Sequence, residues 1–524
     1  MQISEGIMKI VKFFILLPVM LFLPGMTAAE NQPETTFVSY EKFGARGDGK
    51  TDDQAAIAAA HAYANKHRLP VKVRNNGRYY IGGGNKVIEI MTDTDFGNAE
   101  FIIDDTNVKK RNAPVFGVRS RKKPYNVNGI ASLKKNQTVL PVRIRNKALL
   151  VLQNNKVKHF IRYGVNANKG APQTDIVIAS PDGKINPDTP LAWDFPQVTS
   201  CIAYPIDKTP LTIRGGIFTT IANQEPGAHR YYSRNISITR SNVLVSGLTH
   251  KVIEPTKPHS FPYSGFITIT NCCNVTVENC VLTGRKVHKT VKPNSKSITT
   301  GTYDISISRA ANVKFINCSQ TNDILDSTYW GIMGSNYCKN LEYDRCRLSR
   351  FDAHCGVYNA VIRNSILGRA GISVTGFGTL LVENTTVYGR HFIGLRVDYG
   401  SFWRGNIIIR NCTFIPGAGR KNIQPVIIGG SNNFQHNFGY RCFMPDTIEI
   451  DNLQIKDNNH PKKYKGPMLL SAYNNDCRSD RYKAPYPCVV PRQITVRDLQ
   501  TASGKKFQLS ANEYLFKKVE VIRK

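Results

Sequence analysis

Phe43-Gly-Ala-Arg-Gly-Asp-Gly-Lys-Thr-Asp-Asp-Gln-Ala-Ala-Ile57 is the stretch on which the reading of this chain turns. Gly44, Gly49, Lys50 and Thr51 fit the phosphate-loop spacing G-x-x-x-x-G-K-T, and Arg46-Gly47-Asp48 spells an adhesion tripeptide. The nucleotide reading fails on charge. Asp52 and Asp53 stand where a helix N-terminus would meet phosphate, and they would repel it. No downstream apolar strand ends in a metal-binding Asp. The tripeptide is three letters long and needs a mobile, exposed loop. A helix entrance satisfies all of these residues: Thr51 or Asp52 caps an Ala-rich helix from Asp53 to His67, with Ile57 facing inward. No nucleotide partner is expected.

Downstream, one nine-residue phrase recurs: Asn, apolar, any, apolar, any, Asn, small, any, apolar. It reads NVTVENCVL from Asn274, NVKFINCSQ from Asn312, NLEYDRCRL from Asn340 and NAVIRNSIL from Asn359. It continues as TLLVENTTV from Thr379, NIIIRNCTF from Asn406 and TIEIDNLQI from Thr447, with looser copies at Asn242 and Gln493. Alternating apolar residues make a short strand with one face buried, and the polar residue after it turns the chain. Repetition of this kind is the signature of a solenoid. Asn340, Asn359 and Thr379 lie 19 and 20 residues apart, close to one bare rung; other intervals run from 27 to 46 and carry long loops. The recurring Asn residues are read as stacked ladders at the turns rather than as glycosylation sites, although several fit N-x-S/T.

The opening stretch resembles the segment Phe-Gly-Ala-x-Gly-Asp-Gly-x-Thr-Asp-Asp of secreted parallel β-helix proteins, the pectin-lyase-like superfamily. There it leads into a helix that plugs the first coil. The resemblance implies an all-β chain: a right-handed single-stranded parallel β-helix with an N-terminal capping helix. It says little about chemistry, because that fold carries lyases, hydrolases, epimerases, phage tailspikes and adhesins.

The expected organisation follows. Residues 1–29 form a signal peptide: Lys9 and Lys12 precede an apolar run from Phe13 to Leu23, then Thr27-Ala28-Ala29. A linker covers 30–40, the cap and first rungs 41–103, and a Lys-rich, irregular insert with early rungs 104–233. Regular rungs with long loops span 234–501, and a closing cap 502–524. The mature chain is expected to be secreted or periplasmic, a monomer, and not inserted in a membrane. Its net charge of +32 points to a polyanionic partner, here an acidic polysaccharide. Of the twelve Cys, Cys280, Cys318, Cys346 and Cys412 share one phase and are read as a buried thiol ladder. Cys442, Cys477 and Cys488 are the better bridge candidates. No C-x-x-C pair offers a zinc site. No cofactor is expected; Ca²⁺ is compatible with uronate chemistry, but no spacing specifies its site.

Polar residues concentrate between Tyr303 and Gly405. Counting back from the repeated phrases places His354 and Val374 in one column; with Ser401 to Gly405 taken as a local insertion, Arg396 joins it, and Asp352 and Gly394 share the next. A base, a cation and a carboxylate on one face suit uronate β-elimination. Arg396 or Arg350 neutralises the substrate carboxylate, His354 takes the neighbouring proton, and Asp352 orients His354. Tyr399 or Tyr329 returns a proton to the leaving oxygen. Trp330 and Trp403 are read as stacking surfaces for sugar rings, with Asp326, Asp398 and Arg404 as further substrate contacts. Asp352-Ala353-His354 also resembles the Asp-Pro-His-Asp motif of alginate C5-epimerases, with Ala353 and Cys355 departing from it. Three other readings stay open: epimerisation, glycoside hydrolysis through Asp323 with Asp326 or Asp398, and a non-catalytic polyanion-binding solenoid.

Overall fold

Many corners of the solenoid are made by a residue in the left-handed region, which Asn tolerates better than other non-glycine residues. Asn242, Asn274, Asn312, Asn340 and Asn359 all have φ between 54° and 59°. Their side-chain amides bond rung to rung: Asn274 to Asn242 at 2.8 Å, Asn312 to Asn274 at 2.9 Å and Asn340 to Asn312 at 2.8 Å. A second ladder joins Asn317 to Asn279 (2.7 Å), Asn384 to Asn364 (3.1 Å) and Asn452 to Asn411 (2.9 Å). The Asn residues of the phrases are therefore ladders, as their spacing predicts.

The computed structural model describes residues 36–524, apart from 109, 165, 225–230, 255–262, 285, 287 and 291–297. The expected signal peptide and most of the linker lie outside the described residues. The long sheet is parallel throughout. Val243, Val275, Val313, Leu341, Ala360, Leu380, Ile407, Ile448 and Ile494 follow one another in register, all buried in a continuous core. This is a right-handed parallel β-helix.

The opening stretch forms the first turn. Asp48 accepts from the Lys50 and Thr51 amides, both at 2.8 Å, which lowers its pKa to about 2. Asp53 reaches back to the Arg46 and Gly47 amides at 2.7 and 3.0 Å. The amides that a phosphate would need are thus already taken by carboxylates. Asp52 accepts from the Gln54 amide at 3.0 Å, but neither it nor Thr51 is the cap expected for helix α1 (Gln54–His67): the N-cap residue is Asp53, whose carboxylate is turned to the Arg46 and Gly47 amides and makes no cap bond. Ile57, Ala60 and Ala64 close the core from above. Asn65 ties the helix to the next rung through Glu89 O and the Met91 amide.

The insert is not irregular, contrary to the expectation for 104–233. Rungs Glu100–Asp104 and Phe116–Val118 pair directly with Ile217–Ile221 and Ile236–Ile238, so the solenoid runs on unbroken beneath it. Between them stands a four-stranded antiparallel sheet, in the order Ala171–Ala179, Ala148–His159, Ser200–Pro205, Tyr125–Asn126. One face has its own core around Leu150, Leu152, Val177 and Phe195. The other lays Leu149, Val151, Ile176 and Ile178 on Cys273 and Ala311 of the rungs. A sheet buried on both faces reads as an unbroken apolar run, which hides its alternation among the surrounding lysines. A buried ion pair, Lys339 Nζ to Asp175 Oδ1 at 2.8 Å, joins it to the solenoid.

All twelve cysteines are free thiols, and Cys280, Cys318, Cys346 and Cys412 are buried. The bridge expected among Cys442, Cys477 and Cys488 is absent. Cys442 is turned toward Gly400, and the Cys488 thiol toward its neighbouring carbonyl at Val489.

Candidate functional site

On the strand Arg347–Arg363, Phe351 and Ala353 enter the core, so Arg350, Asp352 and His354 face outward together. Two rungs on, Leu395 enters the core and Arg396 follows it outward. The expected column is off by one residue: Val374 pairs with Ala353 and Leu395, not with His354 and Arg396. A register irregularity against the next rung is the cause: Ala353 pairs with Val374 but Val357 with Gly376, so this strand carries two residues more than its neighbour there. The strand is bulged against the preceding rung as well. Ser335 pairs with Ala353 and Asn336 with Cys355, leaving His354 as the extra residue. Bulges of this kind re-aim a side chain. Asp352 and Gly394 do share a column, through Ser373.

The polar side chains nevertheless meet. Asp352 is fully buried between two guanidiniums: Arg396 Nη1 at 2.8 Å from Oδ1, and Arg350 Nη2 at 3.1 Å from Oδ2. Arg396 also donates through Nη2 to Asp398 Oδ2 at 2.9 Å. Arg162, from the insert, reaches the same oxygen at 2.9 Å. His354 Nδ1 faces Asn336 Oδ1 at 3.0 Å, so Nδ1 carries the ring proton and Nε2 the lone pair. That lone pair accepts from the Tyr399 hydroxyl at 3.2 Å.

Burial, and next the Arg396 charge, lower the His354 pKa to about 4. The ring is neutral at neutral pH and available as a base. Burial opposes the charge on Arg396, but Asp352 and Asp398 outweigh it and hold the guanidinium protonated. Burial likewise opposes the charge on Asp398, and Arg396 and Arg162 overcome it. Counting Arg162, Arg350 and Arg396 against Asp352 and Asp398, the cluster carries a net charge of +1 with His354 neutral.

A cleft of about 470 Å³ opens over this cluster, lined by Arg162, Asn166, Asn168, Tyr231, Ser264, Gly301, Tyr303, Ser306, Trp330, Gly334, Asn336, His354 and Arg396. No carboxylate is among these residues. Arg350 lies beneath Trp330, its guanidinium 5.7 Å from the ring centre. Tyr399 is 3 % exposed and stands behind His354, so it positions the imidazole rather than reaching a substrate. Tyr303 lines the cleft instead, and burial raises its pKa, so its phenol keeps its proton.

Other expected contacts lie elsewhere. Trp403 is fully buried, paired with Gly376 and bonded through Nε1 to Gly378 O, and it cannot stack on a sugar. Arg404 points outward over the Phe443 ring, outside the cleft lining. Asp323 and Asp326 each accept from an amide two residues on and hold turns. Tyr329 bridges to Lys286 and does not line the cleft. Arg162, Asn336 and Tyr303 were missed by sequence reasoning. Ser264 and Tyr303 pair on neighbouring rungs, a signal that the phrase spacing carries only once loop lengths are known. Among the described residues no group of three or more His, Cys, Asp or Glu is placed to hold a metal ion. No helix among them is long and apolar enough to cross a membrane.

No protein-family profile matches the chain. Over 118 residues it is 29% identical to a depolymerase of Klebsiella phage P510 described as specific for capsule KL64, a match spanning 18% of this chain and only 12% of that protein. Among solved structures it is similar to a tailspike of Pseudomonas phage phi297, with TM-score 0.53 and 12% identity over 89% of this chain and 80% of that one. It is also similar to a tailspike of Pseudomonas phage LKA1, with TM-score 0.50 and 13% identity over 92% and 84% of the two chains. At these identities the likeness is one of fold, a parallel β-helix, as the opening stretch predicts.

Proposed function

We propose that this protein depolymerises an acidic polysaccharide of the bacterial capsule type by β-elimination. One observation carries the reading: the cleft presents two guanidiniums, an imidazole and two phenols, and no carboxylate among the described residues that line it. A glycoside hydrolase needs a carboxylic acid and a second carboxylate facing the sugar. Here Asp352 and Asp398 are both engaged by arginines, and Asp323 and Asp326 hold turns. The resemblance to the capsule depolymerase supports a capsular substrate, and the net positive cluster supports a uronate.

In this reading the uronate carboxylate docks against Arg162 and Arg396, which stabilise the enolate-like intermediate. His354 takes the C5 proton on Nε2 once its ring turns that nitrogen from the Tyr399 hydroxyl toward the cleft. The C5–H electrons become the C4–C5 double bond, and the C4–O bond electrons leave with the glycosidic oxygen. Tyr303 gives that oxygen its proton. The docked carboxylate also offsets the Arg396 charge that depresses His354, so binding makes the base stronger.

The test incubates the full chain with a panel of uronic-acid polymers, following ultraviolet absorbance from unsaturated ends alongside reducing ends. Both signals should rise together. Reducing ends without absorbance would mean hydrolysis and would sink the proposal. Solvent deuterium entering an uncut polymer would mean epimerisation. Lyase turnover near that of the unaltered protein in His354→Ala or Arg396→Ala would show the site to be elsewhere.

A further inference from the structure

Two glycines in the wall of the cleft, Gly301 and Gly334, have no backbone reason to be glycine. Neither has the positive φ that calls for one. What sets them apart is what lies on them. Gly334 stands between Met333, which enters the core, and the buried Ser335, so a side chain there would point into the cleft. A β-carbon at Gly334 would lie 3.0, 3.1 and 3.2 Å from Cε1, Cζ and Cδ1 of Tyr303. The phenol ring therefore reaches from its own strand, Tyr303–Ser308, onto the next rung, Met333–Asp344, and rests on bare backbone.

At Gly301 a β-carbon would lie 2.5 Å from Trp330 Nε1 and 2.8 Å from the Tyr303 hydroxyl oxygen. Carbon contacts ordinarily settle at about 3.5–4.0 Å, so a methyl group at either glycine displaces what rests there. Gly334 thus carries the body of the ring and Gly301 its hydroxyl end, beside the indole.

This seat decides what the hydroxyl meets. The rung beneath the ring pairs with Arg347–Arg363, the strand that bears Arg350 and Asp352. Burial, and next Asp352, raise the phenol's pKa, while Arg350 and Arg396 act against them, as they would on the phenolate left once a proton is given up. We infer that Gly301 and Gly334 are positioning residues for the proton donor: the room they leave holds the Tyr303 hydroxyl where the departing glycosidic oxygen takes its proton. The catalytic part of this rests on the proposed elimination, and it adds the part of the fold that aims the acid.

Crystal structures of Gly334→Ala and Gly301→Ala test the seat without any substrate. The Tyr303 ring should move by about 0.5 Å or more, and a ring left in place would overturn the inference. Kinetics then use the uronate polymer from which the unaltered protein releases unsaturated ends. Gly334→Ala should lower kcat by about tenfold or more and change KM by less than about threefold, since the arginines that hold the carboxylate are untouched. In a Tyr303→Phe background the same substitution should add less than about twofold, because the group it aims is gone. The leaving group gives a second readout. An oligosaccharide of that polymer with fluoride at C4 of its terminal uronate expels fluoride without taking a proton, so Gly334→Ala should slow it by about threefold at most. Losses that multiply in the double variant, or equal losses on both substrates, would overturn the role. Should the thermal midpoint show that Gly334→Ala folds poorly, Gly301→Ala is carried through the same cycle. An unaltered protein that yields no unsaturated ends from any polymer would sink the proposed elimination, and the ring positions would still decide whether the seat exists.

Discussion

Asp398 Oδ2 is held by two guanidiniums at once, Arg162 from the insert and Arg396 from a rung, each at 2.9 Å. The inserted sheet is therefore part of the candidate site and not only a decoration on the solenoid. Arg162 spans from a segment more than two hundred residues upstream to complete the positive wall of the cleft.

Replacing that side chain should separate function from stability. Arg162→Ala removes a partly exposed ion pair, so the thermal midpoint should move by no more than about 2 °C. Lyase kcat/KM should nevertheless fall by about tenfold or more, because a substrate carboxylate loses one of its two cations. Arg162→Lys should restore only part of it, since an ammonium cannot bridge Asp398 and a carboxylate side by side. Steady-state kinetics beside calorimetry checks this.

The pH profile of kcat/KM should carry the mark of His354. Its pKa of about 4 in the free protein means that the base is already unprotonated above that value. The rate should rise through about pH 4 and then stay level to neutrality. His354→Ala should lower turnover by about a hundredfold or more and abolish that acidic limb. Tyr399→Phe frees the Nε2 lone pair of its donor, so the limb should shift while substrate binding changes little.

Stability should also decline on acidification, for a related reason. Burial lowers His61 to about 3 and His159 to about 4; burial, and next the Arg390 charge, lower His391 to about 4. The unfolded chain binds protons at these sites near pH 6.5, before the folded one does, so stability is whole above that value and is lost as pH falls toward 4. Each histidine contributes a slope of about 1.4 kcal/mol per pH unit inside this window. Urea denaturation at pH 7 and pH 5 should show the loss, and His61→Gln should reduce it.

The insert's anchorage can be read by a double-mutant cycle. Lys339→Met alone leaves Asp175 buried with its remaining amide bonds to Ile176 and Ala192, and should cost about 3–5 kcal/mol. Adding Asp175→Leu removes the stranded charge and should recover much of that loss. Hydrogen exchange should place the weakened protection in the inserted sheet.

The rungs were legible because inward residues recur at period two and Asn recurs at many corners, and neither signal depends on loop length. The cluster around Asp352 and Arg396 was legible because its members stand two residues apart on strands whose inward face is known. The register irregularities around His354 were not, since extra residues shift the count without any change in composition. Trp403 was misplaced although its parity was available: it stands an even number of residues from Ile407 and Ile409, both of which enter the core. Arg162 had no such signal. Its position depends on how a non-repeating sheet docks, and that is decided by side-chain shape at Cys273, Ala311 and Lys339 rather than by any period.

The Asn ladders bear on how long such a molecule lasts. An asparagine ages when the following backbone nitrogen attacks its side-chain carbonyl and a succinimide ring closes. At Asn279, Asn317, Asn364 and Asn411 the backbone is fixed in the left-handed region, and the side chains of Asn279, Asn364 and Asn411 also accept a hydrogen bond from the next rung. The same arrangement that sets these corners thus keeps the attacking nitrogen and the carbonyl apart. Deamidation at these corners should therefore be slower than at exposed loop asparagines, which peptide mapping of aged protein would read.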